Sequence, residues 1–314
     1  MRISSFIRRA FLCSLLAGAG AACWPAAKQP VARSATAASA RIYYEPTQVT
    51  VISRPDPNQR ILAFPSLREA FEFILANAHP LIVSVGEVHK EETSNITSTA
   101  QLFARDALPL LVGAGYHDFI VEFFPYGKKG EKDLEEFYRT GRLSQYLESY
   151  IIGHTDYCGK MGFLQQVRAL RAQNIEVNIH GIHFHVKDDN ERARGINEQM
   201  RAVIQSFEGK KLVVSYTGAQ HNNIIPVPGQ EYKSNGQALR ALYGDNFVEV
   251  DIYHPDFIRI SEVPPSHIAL DDLENLIPTS GVIVVYPSGP AGRVVIVLPR
   301  FDQPVASSSP QPCP

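Results

Sequence analysis

The chain has 314 residues, 45% of them hydrophobic, which is enough for a full core in one large domain or two small ones. A net charge of −2 leaves no electrostatic footprint for nucleic acid, and 13 Tyr with 16 Phe exclude a disordered composition.

The first 23 residues, MRISSFIRRAFLCSLLAGAGAAC, are read as an export signal rather than fold. Arg2, Arg8 and Arg9 precede an apolar run from Ala10 to Ala22, too short and too small in its side chains for a membrane anchor. Arg8-Arg9-Ala10-Phe11-Leu12 resembles a twin-arginine signal, with ordinary secretion as the competing route. Ala21-Ala22-Cys23 resembles a lipoprotein cleavage site, with plain cleavage after Ala19 or Ala21 as its competitor. The expected location is therefore outside the cytoplasm, periplasmic and held to the membrane only through a lipid on Cys23, or secreted. Cys13 leaves with the signal, so a fold resting on disulfides is not expected, although Cys158 and Cys313 remain available in an oxidising compartment.

Residues 24–45, rich in Ala, Ser and Pro, are a linker, and residues 304–314 form a disordered tail. Between them no repeat or long Pro/Gly/Ser stretch divides residues 46–303, so one domain is expected. Ser66-Leu67-Arg68-Glu69 is a capping box, followed by Leu67, Ala70, Phe71, Ile74 and Leu75 at helical spacing. A strand at 81–85, a helix over 96–112 and a strand at 119–124 come next. A charged helical stretch covers 130–150, then a helix 163–173, a strand 175–182 and a polar helix 189–207. A strand 212–216, a helix 236–243 and a strand 247–252 complete the alternation. Residues 282–286 and 293–298 read as a terminal hairpin. The fold class is α/β: a central, mostly parallel sheet with helices on both faces and a C-terminal β-hairpin.

In such sheets ligands bind beyond the carboxyl ends of the strands. Four strand ends carry chemistry: Gly86-Glu87-Val88-His89, Val121-Glu122-Phe123-Phe124, His180 to His185, and Thr217-Gly218-Ala219-Gln220-His221. A parallel sheet sends all four to one edge. There Glu87, His89, Glu122, His183 or His185, and His221 would converge. Residues two apart in extended chain point the same way, so Glu87 and His89 can share a pocket, as can His183 and His185. Carboxylates beside imidazoles hold a water-activating metal, or act without one, with a His as base and a Glu orienting it. Gly86 permits a sharp turn or close approach. His180 is expected to face a helix layer, and His79, His117, His154, His254 and His267 to lie at the surface or in loops.

The ordered set Gly86-Glu87-Val88-His89, Val121-Glu122-Phe123-Phe124 and Thr217-Gly218-Ala219-Gln220-His221 resembles the superfamily joining Tiki proteases, TraB-type proteins, erythromycin esterases and ChaN haem-uptake lipoproteins. Its Gly-Glu-x-His spacing is closest to the ChaN-like branch. The resemblance covers about Leu81 to Asn223 and implies site residues Glu87, His89, Glu122 and His221. It also implies an arginine four residues before a methionine on the helix after the third strand. Met200 fits, but Ile196 stands at the arginine position, and Arg194 takes that anion-stabilising role from one turn away.

Two functions follow. A hydrolase of ester or amide bonds would use His89 or His221 to activate water, with Glu87, His89 and His221 as ligands if a divalent metal is bound. Its partner is a small-molecule or peptide substrate. The alternative is a haem-binding uptake lipoprotein without catalysis, its iron held among His89, His183, His185 and His221. No Cys-x-x-Cys-His is present for covalent haem.

Overall fold

A computed structural model describes residues 50–51, 60–87, 96–152, 156–183, 189–224, 234–257, 275–287 and 292–301. The proposed signal, linker and tail, together with His89, His154, His185 and His267, lie outside the described residues. All described residues fall in the compact unit Tyr43–Pro314.

The strands are β1 (Thr50–Val51), β2 (Arg60–Phe64), β3 (Ile82–Glu87), β4 (Asp118–Pro125), β5 (Asn178–His183), β6 (Val213–Gly218), β7 (Phe247–Tyr253), β8 (Val282–Tyr286) and β9 (Arg293–Val297). They form one nine-stranded sheet in the order β1-β2-β8-β9-β7-β3-β6-β4-β5. Strands β5, β4, β6, β3, β7 and β9 run parallel as a block, and β8 pairs antiparallel with both β9 and β2. The terminal hairpin and the mostly parallel sheet are as expected. β1 and β2 were not expected.

Helices cover both faces. On the first lie α1 (Leu67–Ala78), α2 (Thr99–Leu102), α3 (Leu108–Gly113), α4 (Lys128–Thr140), α5 (Gln145–Ile152) and α6 (Tyr157–Ala172). Their apolar sides meet Val83, Val85, Val121, Val214 and Tyr216 of the sheet. On the second lie α7 (Asp189–Ser206) and α9 (Asn235–Tyr243), with Ile196, Met200, Ile204 and Leu239 packed on Ile82, Ile120 and Val213. Each fully buried side chain of this size contributes about 1.5–3 kcal/mol. The four-residue α8 (Ala219–Asn222) turns directly off β6.

Two local features follow from particular residues. Ser66 caps α1 by accepting from the Glu69 amide at 3.2 Å, as the capping box foretold. The helix expected over 96–112 starts at Thr99 behind a Ser98–Gln101 capping box and passes through a π-helical turn, Phe103–Ala107. Pro109 lacks the N–H that the Arg105 carbonyl would receive, and the Leu108 N–H reaches back to the Phe103 carbonyl instead. The turn seats Phe103 4.5 Å from Tyr216, ring to ring.

Two expectations are corrected. His254 is not a surface residue but is fully buried, its Nε2 3.1 Å from the Thr97 carbonyl and its ring 3.9 Å from Phe257. Cys158 is disulfide-bonded, and the other three cysteines lie outside the described residues. Among the described residues no helix is long and apolar enough to cross a membrane.

Candidate functional site

Glu87 ends β3 and is buried, with the Tyr216 hydroxyl donating to its Oε2. Burial, then the charges of Glu87 and Asp156, push the Tyr216 hydroxyl well above its ordinary pKa. That hydroxyl therefore stays a donor and fixes one lobe of the Glu87 carboxylate. Tyr216, an unexpected polar side chain inside a buried strand, thus has its partner.

Glu122 owes its position to an irregularity in β4. Val121 pairs with Gly181 but Pro125 pairs with His183, so β4 carries extra residues between those two points. Phe123 and Phe124 both turn to the first face, where they join the core. The bulge leans so far over β5 that a Cβ on Gly181 would stand 2.3 Å from the Pro125 carbonyl oxygen. Glu122 is left at the edge, where its Oε2 accepts from the Gly218 amide at 2.7 Å. Its Oε1 lies 3.5 Å from His221 Nε2.

His221 sits on α8, nearly buried, with Nδ1 3.0 Å from Asn197 Oδ1 on α7. Asn235 Nδ2 donates to that same oxygen at 2.7 Å. One short segment, Tyr216 to His221, thus holds both carboxylates and supplies the imidazole. The described structure brings Glu87, Glu122 and His221 around β6 and α8, with His89 outside the described residues.

The other candidates are placed as follows. His183 ends β5, buried, with its ring edge-on to Tyr150 at 5.6 Å. Arg194 is exposed on α7, whereas Ile196, Asn197 and Met200 form that helix's buried side. His180 is 2.9 Å from Asp118 and 5.5 Å from the Phe207 ring, facing the second helix layer as expected. A cleft of about 640 Å³ between α4 and α6 includes none of the site residues. Its Arg139 and Arg171 are paired with Glu136 and Glu135 at 2.7 Å.

Beneath the edge, on the second face, lies a polar layer that the sequence reading did not single out. Asn222 donates to Asp251 Oδ1 at 3.1 Å and to the Ser84 carbonyl at 3.3 Å. Glu249 accepts from the Ile224 amide at 2.9 Å and faces Arg293 Nε at 3.4 Å. Burial, with the neighbouring Asp251 charge, raises Glu249 well above the usual carboxylate range. Burial likewise pushes Asp251 up to about 6, against the downward pull of Asn222 and Arg293.

The donor set can be tested against a metal. Among the described residues no three His, Cys, Asp or Glu side chains stand together as a metal-holding group. Glu87 Oε2 is engaged by Tyr216, Glu122 Oε2 by Gly218, and His221 Nδ1 by Asn197, which suits proton transfer at His221 Nε2. The described residues alone do not fit a three-ligand site. His89, the third member of the proposed ligand set, lies outside them.

No protein-family profile matches the chain, and no curated protein matches it in sequence. Solved structures do. A mutant of the erythromycin esterase EreC in its open conformation aligns with a TM-score of 0.52 at 9% identity, over 75% of this chain and 94% of that one. The type III effector HopBA1 aligns at 0.45 and 12% identity, over 76% and 97%. A bacterial protein toxin aligns at 0.42 and 14% identity, over 61% of this chain but only 37% of the toxin's own length. The chain has the fold of the erythromycin esterase, and at such identity the likeness extends to the fold alone.

Proposed function

We propose that the chain is an exported hydrolase of ester or amide bonds, belonging to the superfamily of Tiki proteases, erythromycin esterases and ChaN-like proteins. The observation that carries this reading is the line Asn197–His221–Glu122, in which an imidazole at the sheet edge stands between an amide oxygen and a carboxylate. His221 Nε2 takes a proton from water as the water oxygen attacks the substrate carbonyl. The imidazolium that forms is met by the Glu122 charge, and Gly218 keeps that carboxylate in place. The proton passes to the leaving oxygen or nitrogen as its bond to carbon breaks. Glu87, held by Tyr216, orients the water or the substrate. The polar edge suits a small-molecule or peptide substrate. The erythromycin-esterase fold supports the reading.

The test is turnover of p-nitrophenyl esters and peptide p-nitroanilides by protein purified from its own compartment. His221→Ala is expected to lower kcat by about 10²–10⁴-fold and Glu122→Gln by a smaller factor. Absence of turnover together with a Soret band would replace this reading by the haem-uptake one.

We place the protein outside the cytoplasm, anchored through an acylated Cys23. Cys23→Ser is expected to move it from the membrane fraction into the soluble periplasm. Unchanged fractionation, with no acyl group at the mature N-terminus, would leave plain secretion in its place.

A further inference from the structure

His221 has two ring nitrogens, and only an unprotonated one can act as a base. Which one is free depends on the partner of the other. Asn197 Oδ1 accepts from Asn235 Nδ2 at 2.7 Å and stands 3.0 Å from His221 Nδ1. An amide oxygen has two lone pairs and no hydrogen, so the second contact requires a proton on Nδ1. In the neutral ring that leaves Nε2 without a hydrogen, and Glu122 Oε1, 3.5 Å away, is farther from it than an ordinary N–H···O bond would place it. We propose that Asn197 is a positioning residue: its carbonyl, aimed by Asn235, fixes the Nδ1–H tautomer of His221 and presents Nε2 as the basic atom. This rests on His221 being the base of the reading above.

The surroundings favour this role over a packing one. Asparagine is a poor interior helix residue, and Asn197 is 1% exposed on the same buried side of α7 as Ile196 and Met200. The buried amide oxygen instead meets Asn235 Nδ2 and His221 Nδ1. The choice of an amide over a carboxylate also follows. Glu122 already stands at Nε2, and a carboxylate at Nδ1 would put a second negative charge against the same ring. A neutral acceptor sets the tautomer without adding that charge.

The test is nitrogen-15 NMR of the histidine rings in the full chain, the His221 signals assigned by their loss in His221→Gln. In the parent at alkaline pH, Nδ1 is expected to show the proton-bearing shift and Nε2 the bare one. Asn197→Leu should transfer the proton to Nε2, the form free histidine prefers, while Asn197→Asp should keep it on Nδ1. A parent ring protonated at Nε2 overturns the proposal without any variant, so a misfolded leucine variant cannot shield it. An unchanged tautomer in a folded Asn197→Leu protein overturns it as well. These readouts need no substrate. If the tautomer behaves as expected but no ester or anilide turns over, the hydrolase reading fails and the control of the His221 tautomer by Asn197 stands. If p-nitrophenyl esters are turned over, Asn197→Leu should lower kcat at least tenfold with little change in KM.

Discussion

Gly86→Val is expected to leave no folded protein at ambient temperature, and Gly86→Ala to melt far below the parent. A Cβ at Gly86 would stand 2.6 Å from Asp251 Oδ1 and from both polar atoms of the Asn222 amide. None of the three can retreat. Asp251 and Asn222 are buried and bonded to each other at 3.1 Å, and Asn222 also holds the Ser84 carbonyl. Gly86 is not among the residues with positive φ, so crowding rather than backbone conformation requires a glycine here. Forcing the methyl in costs the overpacking, about 1–3 kcal/mol, plus the loss of two buried hydrogen bonds at about 1–3 kcal/mol each. Against a typical total of about 5–15 kcal/mol, that is most of the stability. Gly113→Ala is the control: it ends α3 with nothing within 4 Å of the new methyl, and should be neutral or slightly stabilising. Thermal melting separates the two. A Gly86→Ala protein melting with the parent would show that the polar layer gives way freely.

The same crowding explains why the edge could be read from sequence while its support could not. Runs such as Ile82–Val85 and Val213–Val214 announce buried strands, and their Gly, Glu and His ends announce a parallel-sheet site. That topology sends Glu122 and His221 to one edge, but the irregularity in β4 that sets the carboxylate beside the imidazole carries no such signal. Asn197 and Asn235 carry none, because they lie 38 residues apart and meet only through helix packing. Nor does the polar layer: FVEVDIY alternates like a strand with one wet face, yet all seven residues of β7 are buried. Strand β2, Arg60–Phe64, is short and pairs with β8, whose partner residues lie more than two hundred positions on, so no local signal marks it. The π-turn before Pro109 lies inside the stretch read as one helix over 96–112, and the helical spacing there does not mark it.

Support and site are joined mechanically. Asn222 and His221 are neighbours on α8, and α8 leaves β6 at Gly218, whose amide holds Glu122. Asp251 positions Asn222 from below, and Arg293 offsets the charge on the Glu249–Asp251 pair. A disturbance in this layer should therefore reach His221 before it reaches Glu87, which belongs to the other face with Tyr216.

Arg293→Met should destabilise the protein by about 3–5 kcal/mol at pH 8, because it leaves two buried carboxyl groups without their cation. The pH dependence distinguishes this from lost packing. In the parent, Asp251 is pushed up to about 6 by burial, above its unfolded value. The native state then binds more protons than the unfolded chain between about pH 4 and 6, so this group's contribution to stability falls as pH rises through that window and is flat above it. Removing Arg293 takes away a downward pull on both carboxyl groups, since it lowers Glu249 as well as Asp251. Both move further up, and the window widens to higher pH. The cost of Arg293→Met is thus expected to be greatest above pH 7 and to shrink toward pH 4, where both carboxyl groups are neutral. Melting curves from pH 4 to 8 check it, on the parent, on Arg293→Met, and on Arg293→Met combined with Glu249→Gln and Asp251→Asn. The triple variant should lose most of the pH dependence. Parent and Arg293→Met curves separated by a constant interval would mean that the guanidinium is held there for its bulk and not for its charge.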